Sequence, residues 1–136
     1  MPEHPLYWRV AARAHFRCEY CRAPQIEFNA RFELEHIVPQ HHGGLTIPGN
    51  LALACRSCNN AKRAHVAARD PVGGASVWLF NPRVQAWSAH FDLDPVTGAV
   101  AGLTPVGRAT VRRLRMNSLE QQVARQVWLL RGLLGV

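Results

Sequence analysis

The chain has 136 residues, enough for one domain with an appendage and with little room for a second core. Its hydrophobic fraction of 48% is that of a folded globular protein, and no apolar run is long enough to cross a bilayer. Sixteen Lys and Arg against nine Asp and Glu give a net charge of +7, which favours an anionic partner, nucleic acid first.

The opening stretch MPEHPLYWRVAARAHFRC has no continuous apolar segment and no small-residue cleavage pattern. No secretory signal is expected, and a cytoplasmic location follows by default. Cysteines then stand at 18, 21, 55 and 58, in the pairs CEYC and CRSC. A two-residue gap lets both sulfurs of a pair bind one ion, and Zn²⁺ prefers soft thiolates. Cys18, Cys21, Cys55 and Cys58 are therefore expected to hold one structural Zn²⁺. Disulfides are the competing reading, disfavoured in a reducing compartment. Four bound thiolates and one Zn²⁺ would leave a net charge of about +5.

Between the pairs lies RFELEHIVP, whose alternation predicts a strand. Phe32, Leu34, His36 and Val38 share one face, with Glu33, Glu35 and Ile37 on the other. A histidine in an apolar row is, taken alone, a core histidine. Gly43-Gly44 and the PGN at 48–50 predict turns, and LALAC predicts a second strand. The second cysteine pair then opens a helix over SCNNAKRAHVAARD, residues 57–70, which Asp70-Pro71 and Gly73-Gly74 bring to an end. On that helix Asn59, Lys62 and Arg63 share a face. Fifteen of the sixteen basic residues are arginine, and the single lysine, Lys62, is expected to face an approaching phosphate together with Arg63.

The order Cys-x-x-Cys, Glu-His-Ile-x-Pro, Gly-Gly, Asn-Leu, Cys-x-x-Cys-Asn-x-x-Lys resembles the zinc-containing branch of the HNH endonucleases, the ββα-metal nucleases, over about residues 9–66. The resemblance implies that His36 is the general base that activates water against a phosphodiester. It implies that Glu35 and Asn59 bind one divalent metal and that Asn50 braces the loop. Glutamate stands where the family more often has aspartate, and Asn59 makes this the HNN variant. The chemistry agrees with those roles. Imidazole titrates near pH 6.5, and oxygen ligands suit Mg²⁺ or Mn²⁺.

Beyond Ser76, VQAWSAHFDL and AVAGL flank the turn DPVTG and predict a β-hairpin. Thr104-Pro105 starts a helix, and Ser118 with Gln121 forms a capping box for the last one. There Leu119, Val123, Val127, Leu130 and Leu134 form an apolar stripe expected to face the core, a dimer seam being the alternative. Arg108, Arg112 and Arg115 fall at i, i+4 and i+7. They are either a ridge on the nucleic-acid backbone or a solvated face.

The fold class expected is α+β: a ββα-metal motif stapled by a four-cysteine zinc site over residues 1–75, with a C-terminal β-hairpin and two helices over 76–136 packed on the same domain. The function expected is metal-dependent DNA endonuclease. A catalytically silent zinc-stabilised nucleic-acid-binding module, or RNA as substrate, are the alternatives. No membrane and no small-molecule substrate are expected as partners, and the oligomeric state stays open, a homodimer included.

Overall fold

The computed structural model describes residues 4–134. Its α+β architecture consists of three separate antiparallel two-stranded ribbons with five α-helices packed around them. Helix α1, Tyr7–Arg13, buries Tyr7, Val10 and Ala11, and two turns of helix carry too few apolar repeats to register in the sequence pattern. Strand β1, Glu33–His36, pairs with β2, Leu51–Ala54, in a register running from Glu33 opposite Ala54 to His36 opposite Leu51. All four residues of β2 are buried, which is why LALA is apolar without alternation.

Helix α2, Arg56–Lys62, follows β2 directly, with Cys55 as its cap. It stops well short of the end expected at residue 70. Arg63 has a φ of 53°, and Ala67–Arg69 instead form β3, paired with β4, Ser76–Trp78. The alanine-rich run favours helix locally, and pairing across a tight turn overrides that preference. Asp70 closes the turn by accepting the N–H groups of Val72 and Gly73 at 3.1 and 3.3 Å.

The C-terminal hairpin is shorter than its sequence alternation indicates. Residues Trp87–His90 form a helical turn, α3, and only Phe91–Leu93 (β5) and Val100–Gly102 (β6) pair. The turn sets Trp87 against Phe91, ring centroids 5.1 Å apart, and Trp87 Nε1 donates to the Tyr20 carbonyl at 2.8 Å. Helix α4, Pro105–Arg113, starts at its Thr104 cap and lies directly on β6. A side chain at Gly107 would meet the His90 carbonyl at 2.0 Å, and one at Gly102 would meet the Arg108 nitrogen at 2.3 Å. The two glycines are what let helix and hairpin touch.

Helix α5, Leu119–Leu130, is capped by Ser118, whose hydroxyl accepts the Gln121 N–H, while the Ser118 N–H donates to the Arg115 carbonyl, so the capping box is only half formed. Its amphipathicity is reversed. Leu119 and Leu130 are 75% and 89% exposed and Val123 and Val127 about half exposed, while Gln121, Arg125 and Trp128 face inward. The stripe expected in the core lies on the surface. The arginine ridge is also absent, because Arg115 lies past the end of α4 at a φ of 54°. Arg108 turns inward, gripping Asp70 with its Nε and terminal nitrogen, both at 2.9 Å.

That pairing, first, and the two turn N–H bonds hold the Asp70 carboxyl well below its ordinary value of 3.8. A depressed carboxyl contributes stability that is fully present above the ordinary value and is lost as pH falls below it. Asp70→Asn is therefore expected to lower the melting temperature by an amount that stays constant between about pH 8 and pH 6. Thermal melts of both proteins across that range check it.

Candidate nuclease site

The two cysteine pairs meet at one point. The sulfurs of Cys18, Cys21, Cys55 and Cys58 all lie within 4.8 Å of one another, fully enclosed. A tetrahedral ion with Zn–S bonds of about 2.3 Å needs sulfurs roughly 3.8 Å apart, so the cluster fits Zn²⁺ and leaves no position open for a substrate. Within each pair the second cysteine's N–H points at the first sulfur at 3.5 Å. The C-terminal segment completes this centre. Gln121 Nε2 reaches the Cys58 sulfur at 3.9 Å, and Arg125 is buried within the electrostatic reach of all four thiols.

Because the cysteine cluster ties down the start of α2, it also positions α2 against β1. Glu33 and Glu35 are two apart on the strand and face the helix; Asn59 and Lys62 are one turn apart on the helix and face the strand. The result is two cross-links. In the inner one, Lys62 Nζ binds Glu35 Oε1 and the Ile37 carbonyl, and Tyr20 donates to Glu35 Oε2 at 2.7 Å. Both side chains of the ion pair are almost fully buried. Burial pushes the Glu35 carboxyl up, opposed by the Lys62 charge and by hydrogen bonds from Lys62 and Tyr20. In the outer cross-link, Asn59 Nδ2 donates to Glu33 Oε2 at 3.0 Å, and both residues are half-buried.

His36 emerges on the opposite side of β1. Its Nε2 lies 2.8 Å from Thr46 Oγ1, which also accepts from Gln40 at 3.3 Å, and Nδ1 has no hydrogen-bond partner among the described residues. The loop from His36 to β2 is clamped by Asn50. Its carboxamide accepts from the Val38 N–H at 2.9 Å and donates to the carbonyls of Val38 and Leu45 at 3.0 and 2.9 Å. Gly44 is required there, since a side chain would overlap the Val38 carbonyl at 1.7 Å. A groove of about 470 Å³ runs along this side, lined by Arg31, Glu33, Leu34, His36 and Thr46 among others. The Arg31 guanidinium lies over the rings of Tyr7 and Trp8, at 5.2 and 5.1 Å.

A zinc-stapled hairpin and helix presenting a histidine beside a clamped loop is the arrangement to compare with known proteins. The HNH endonuclease family profile matches residues 18–65. Residues 18–65 are therefore similar to an HNH endonuclease domain. Over 109 residues, 79% of this chain, the sequence is 28% identical to the Septu protein PtuB of Bacillus thuringiensis. The match covers 39% of that protein, so this chain spans about two-fifths of its relative's length. No solved structure matches significantly.

Within the region that matches the HNH profile and beyond it, several residues stand where the sequence did not put them. Glu35 is not an open ligand, because both of its oxygens are engaged and it is 4% exposed. Lys62 does not face a phosphate; it is the buried counter-ion of Glu35. Of the basic residues expected to touch nucleic acid, Arg112 is exposed on α4 and Arg108 is engaged by Asp70. Arg63 and Arg115 line a second groove, of about 710 Å³, together with Arg113. Thr46, Tyr20 and Arg125 were not singled out by sequence, since a lone Thr or Tyr carries no spacing signal and Arg125 reads as a surface arginine; Gln121 was read only as a capping residue, and its side chain is directed at Cys58 and Arg125.

Two sets of substitutions probe these contacts. Lys62→Met leaves a buried carboxylate unpaired and is expected to cost about 3–5 kcal/mol in chemical denaturation, with Glu35→Gln/Lys62→Met recovering most of it. Arg125→Met removes a positive charge next to a zinc-thiolate cluster that carries two net negative charges when filled. It is expected to release zinc about 10- to 100-fold more readily in chelator competition, and Arg125→Lys less so.

Proposed function

We propose that the chain is a metal-dependent endonuclease that hydrolyses phosphodiester bonds in DNA, working in the cytoplasm, with His36 as general base. What carries the reading is the placement of His36. Its ring is anchored through Nε2 by Thr46, its other nitrogen has no partner among the described residues, and it lines a groove beside the Arg31 guanidinium. A nitrogen so held can take a proton from water as the oxygen attacks phosphorus. The imidazolium that results keeps its hydrogen bond to Thr46. Arg31, with its guanidinium against two rings, supplies a fixed positive charge for a phosphate oxygen in the same groove. Asn50 acts through the loop, holding the Val38–Leu45 segment that leads to Thr46. Arg63, Arg112 and Arg115 contact the backbone away from the cut, and Arg108 supports the fold. Residues 1–75 and 76–136 work as one unit, because Gln121 and Arg125 of the extension close the zinc centre.

Divalent Mg²⁺ or Mn²⁺, when bound, would neutralise charge on the phosphate and the leaving oxygen. The residues do not offer Glu35 for it, since Lys62 already supplies that carboxylate with a cation. This same observation favours a second reading, a zinc-stabilised nucleic-acid-binding module without catalysis.

Supercoiled-plasmid nicking separates the two. The wild type is expected to nick with Mg²⁺ or Mn²⁺ and not with EDTA, and His36→Ala with full zinc content to lose at least about 100-fold in rate. Equal rates for wild type and His36→Ala would remove His36 as the base. Salt-sensitive binding of DNA without cleavage would establish the binding module, and preference for an RNA substrate would replace DNA in the reading.

A further inference from the structure

We infer that the groove beyond Arg31 binds an unpaired strand of DNA, so that the substrate of this chain carries a single-stranded segment next to the scissile phosphate. The inference rests on the nuclease reading above and deepens it by naming the substrate class. It starts from another groove, of about 740 Å³, which Arg31 lines together with Phe16, Arg17, Ile26, Phe28 and Asn29 among others. Arg31 also lines the groove that holds His36, so the two meet at one guanidinium.

The lining has the charge that a phosphate chain requires. Among the described residues no carboxylate lines this groove, whereas Arg17 and Arg31 both do. Arg17 Nη1 is a buried nitrogen with no hydrogen-bond partner, and Arg17 makes no ion pair among the described residues. A guanidinium nitrogen withdrawn from water without an acceptor is costly, and native proteins meet such a group with an oxygen. A phosphate oxygen supplies both the acceptor and the missing negative charge.

The aromatic residues decide between duplex and unpaired strand. Trp8, Phe16 and Phe28 are 52%, 38% and 42% exposed. Trp8 contacts its neighbours on both counts, with the Arg31 guanidinium 5.1 Å from its ring and the Phe16 ring at 6.2 Å. The chain leaves α1 through two consecutive left-handed residues, His15 and Phe16, at φ of 54° and 55°. A bulky side chain avoids that conformation, and here it goes with a phenyl ring lining the groove. A duplex keeps its base faces stacked inside and shows its partner phosphates and base edges. An unpaired strand offers a flat face at every base, and arginines interleaved with aromatic rings hold both of its parts.

The test compares binding of zinc-loaded protein to a blunt duplex and to the same duplex with an unpaired tail of about ten nucleotides, without added divalent ion. Tails on the 5′ and on the 3′ end are both tried, and zinc content is confirmed for every variant. Wild type is expected to bind one tailed duplex at least about tenfold more tightly than the blunt one. Phe16→Ala is expected to lose about fivefold or more on the tailed duplex, with Phe16→Tyr restoring it, and to change blunt-duplex binding less than about twofold. Arg17→Gln is expected to reduce the salt slope of tailed-duplex binding by about 0.7, the contribution of one single-strand phosphate. Arg69→Gln, at an exposed arginine on β3, is the charge-matched control and leaves the preference for the tail intact. Equal wild-type affinity for blunt and tailed duplexes, or equal losses on both in Phe16→Ala, would overturn the inference. Tighter binding of an RNA tail would overturn DNA as the strand. Cleavage on the same samples keeps the two readings apart. Tail-selective binding, with no cleavage of the tailed duplex in Mg²⁺ or Mn²⁺, would uphold the groove and remove the nuclease. His36-dependent cleavage at equal rates and affinities for blunt and tailed substrates would uphold the nuclease and overturn the groove.

Discussion

The four-thiol cluster is the constraint on which the rest depends. It ties the 18–21 knuckle, the end of β2 and the start of α2 to one point, and Asn59 and Glu33 are held within a few residues of that point. Asn59 follows Cys58 directly. Glu33 faces Ala54, the residue before Cys55, across the ribbon. A chain this small buries a limited core, and a closed zinc site contributes folding free energy of its own.

The two cross-links above this anchor illustrate how neighbouring carboxylates acquire different tasks. Glu33 and Glu35 have the same side chain, face the same helix and lie about 7 Å apart along one strand. Glu35 meets the chain's single lysine under the cover of Tyr20 and becomes part of the interior. Glu33 meets the Asn59 amide at the rim and stands 3.9 Å from the exposed Arg56. Local spacing cannot distinguish them; the identity of the partner one helical turn along α2 does. Fifteen arginines elsewhere leave Lys62 as a compact ammonium that fits a sealed pocket, where a guanidinium would need more acceptors than Glu35 and one carbonyl supply.

The zinc ligands, the β1–β2 ribbon, the turn at Gly44, and the caps at Thr104 and Ser118 were all legible, because each depends on spacing or on a local hydrogen bond. What was not legible depended on distant partners. Residues 63–70 are alanine-rich and look helical, and only the 76–78 strand makes their end extended. Lys62 looked like a phosphate ligand because a face shared with Asn59 says nothing about what covers that face.

Helix α5 carries the same lesson about charge. Its aliphatic stripe of Leu119, Val123, Val127 and Leu130 faces water, while Gln121 and Arg125 face inward beside Trp128. The inversion follows from what lies beneath. Four thiolates around one Zn²⁺ sum to two net negative charges, and an aliphatic face laid over them would leave those charges without compensation. Arg125 answers with a buried guanidinium that also binds the carbonyls of Gly98 and Met116, and Gln121 answers with an amide directed at a sulfur. Hydropathy periodicity assumes that the interior is hydrocarbon. Where the interior is a cluster of four thiols suited to a metal ion, donors such as Arg125 and Gln121 face it and displace part of the aliphatic stripe to the outside.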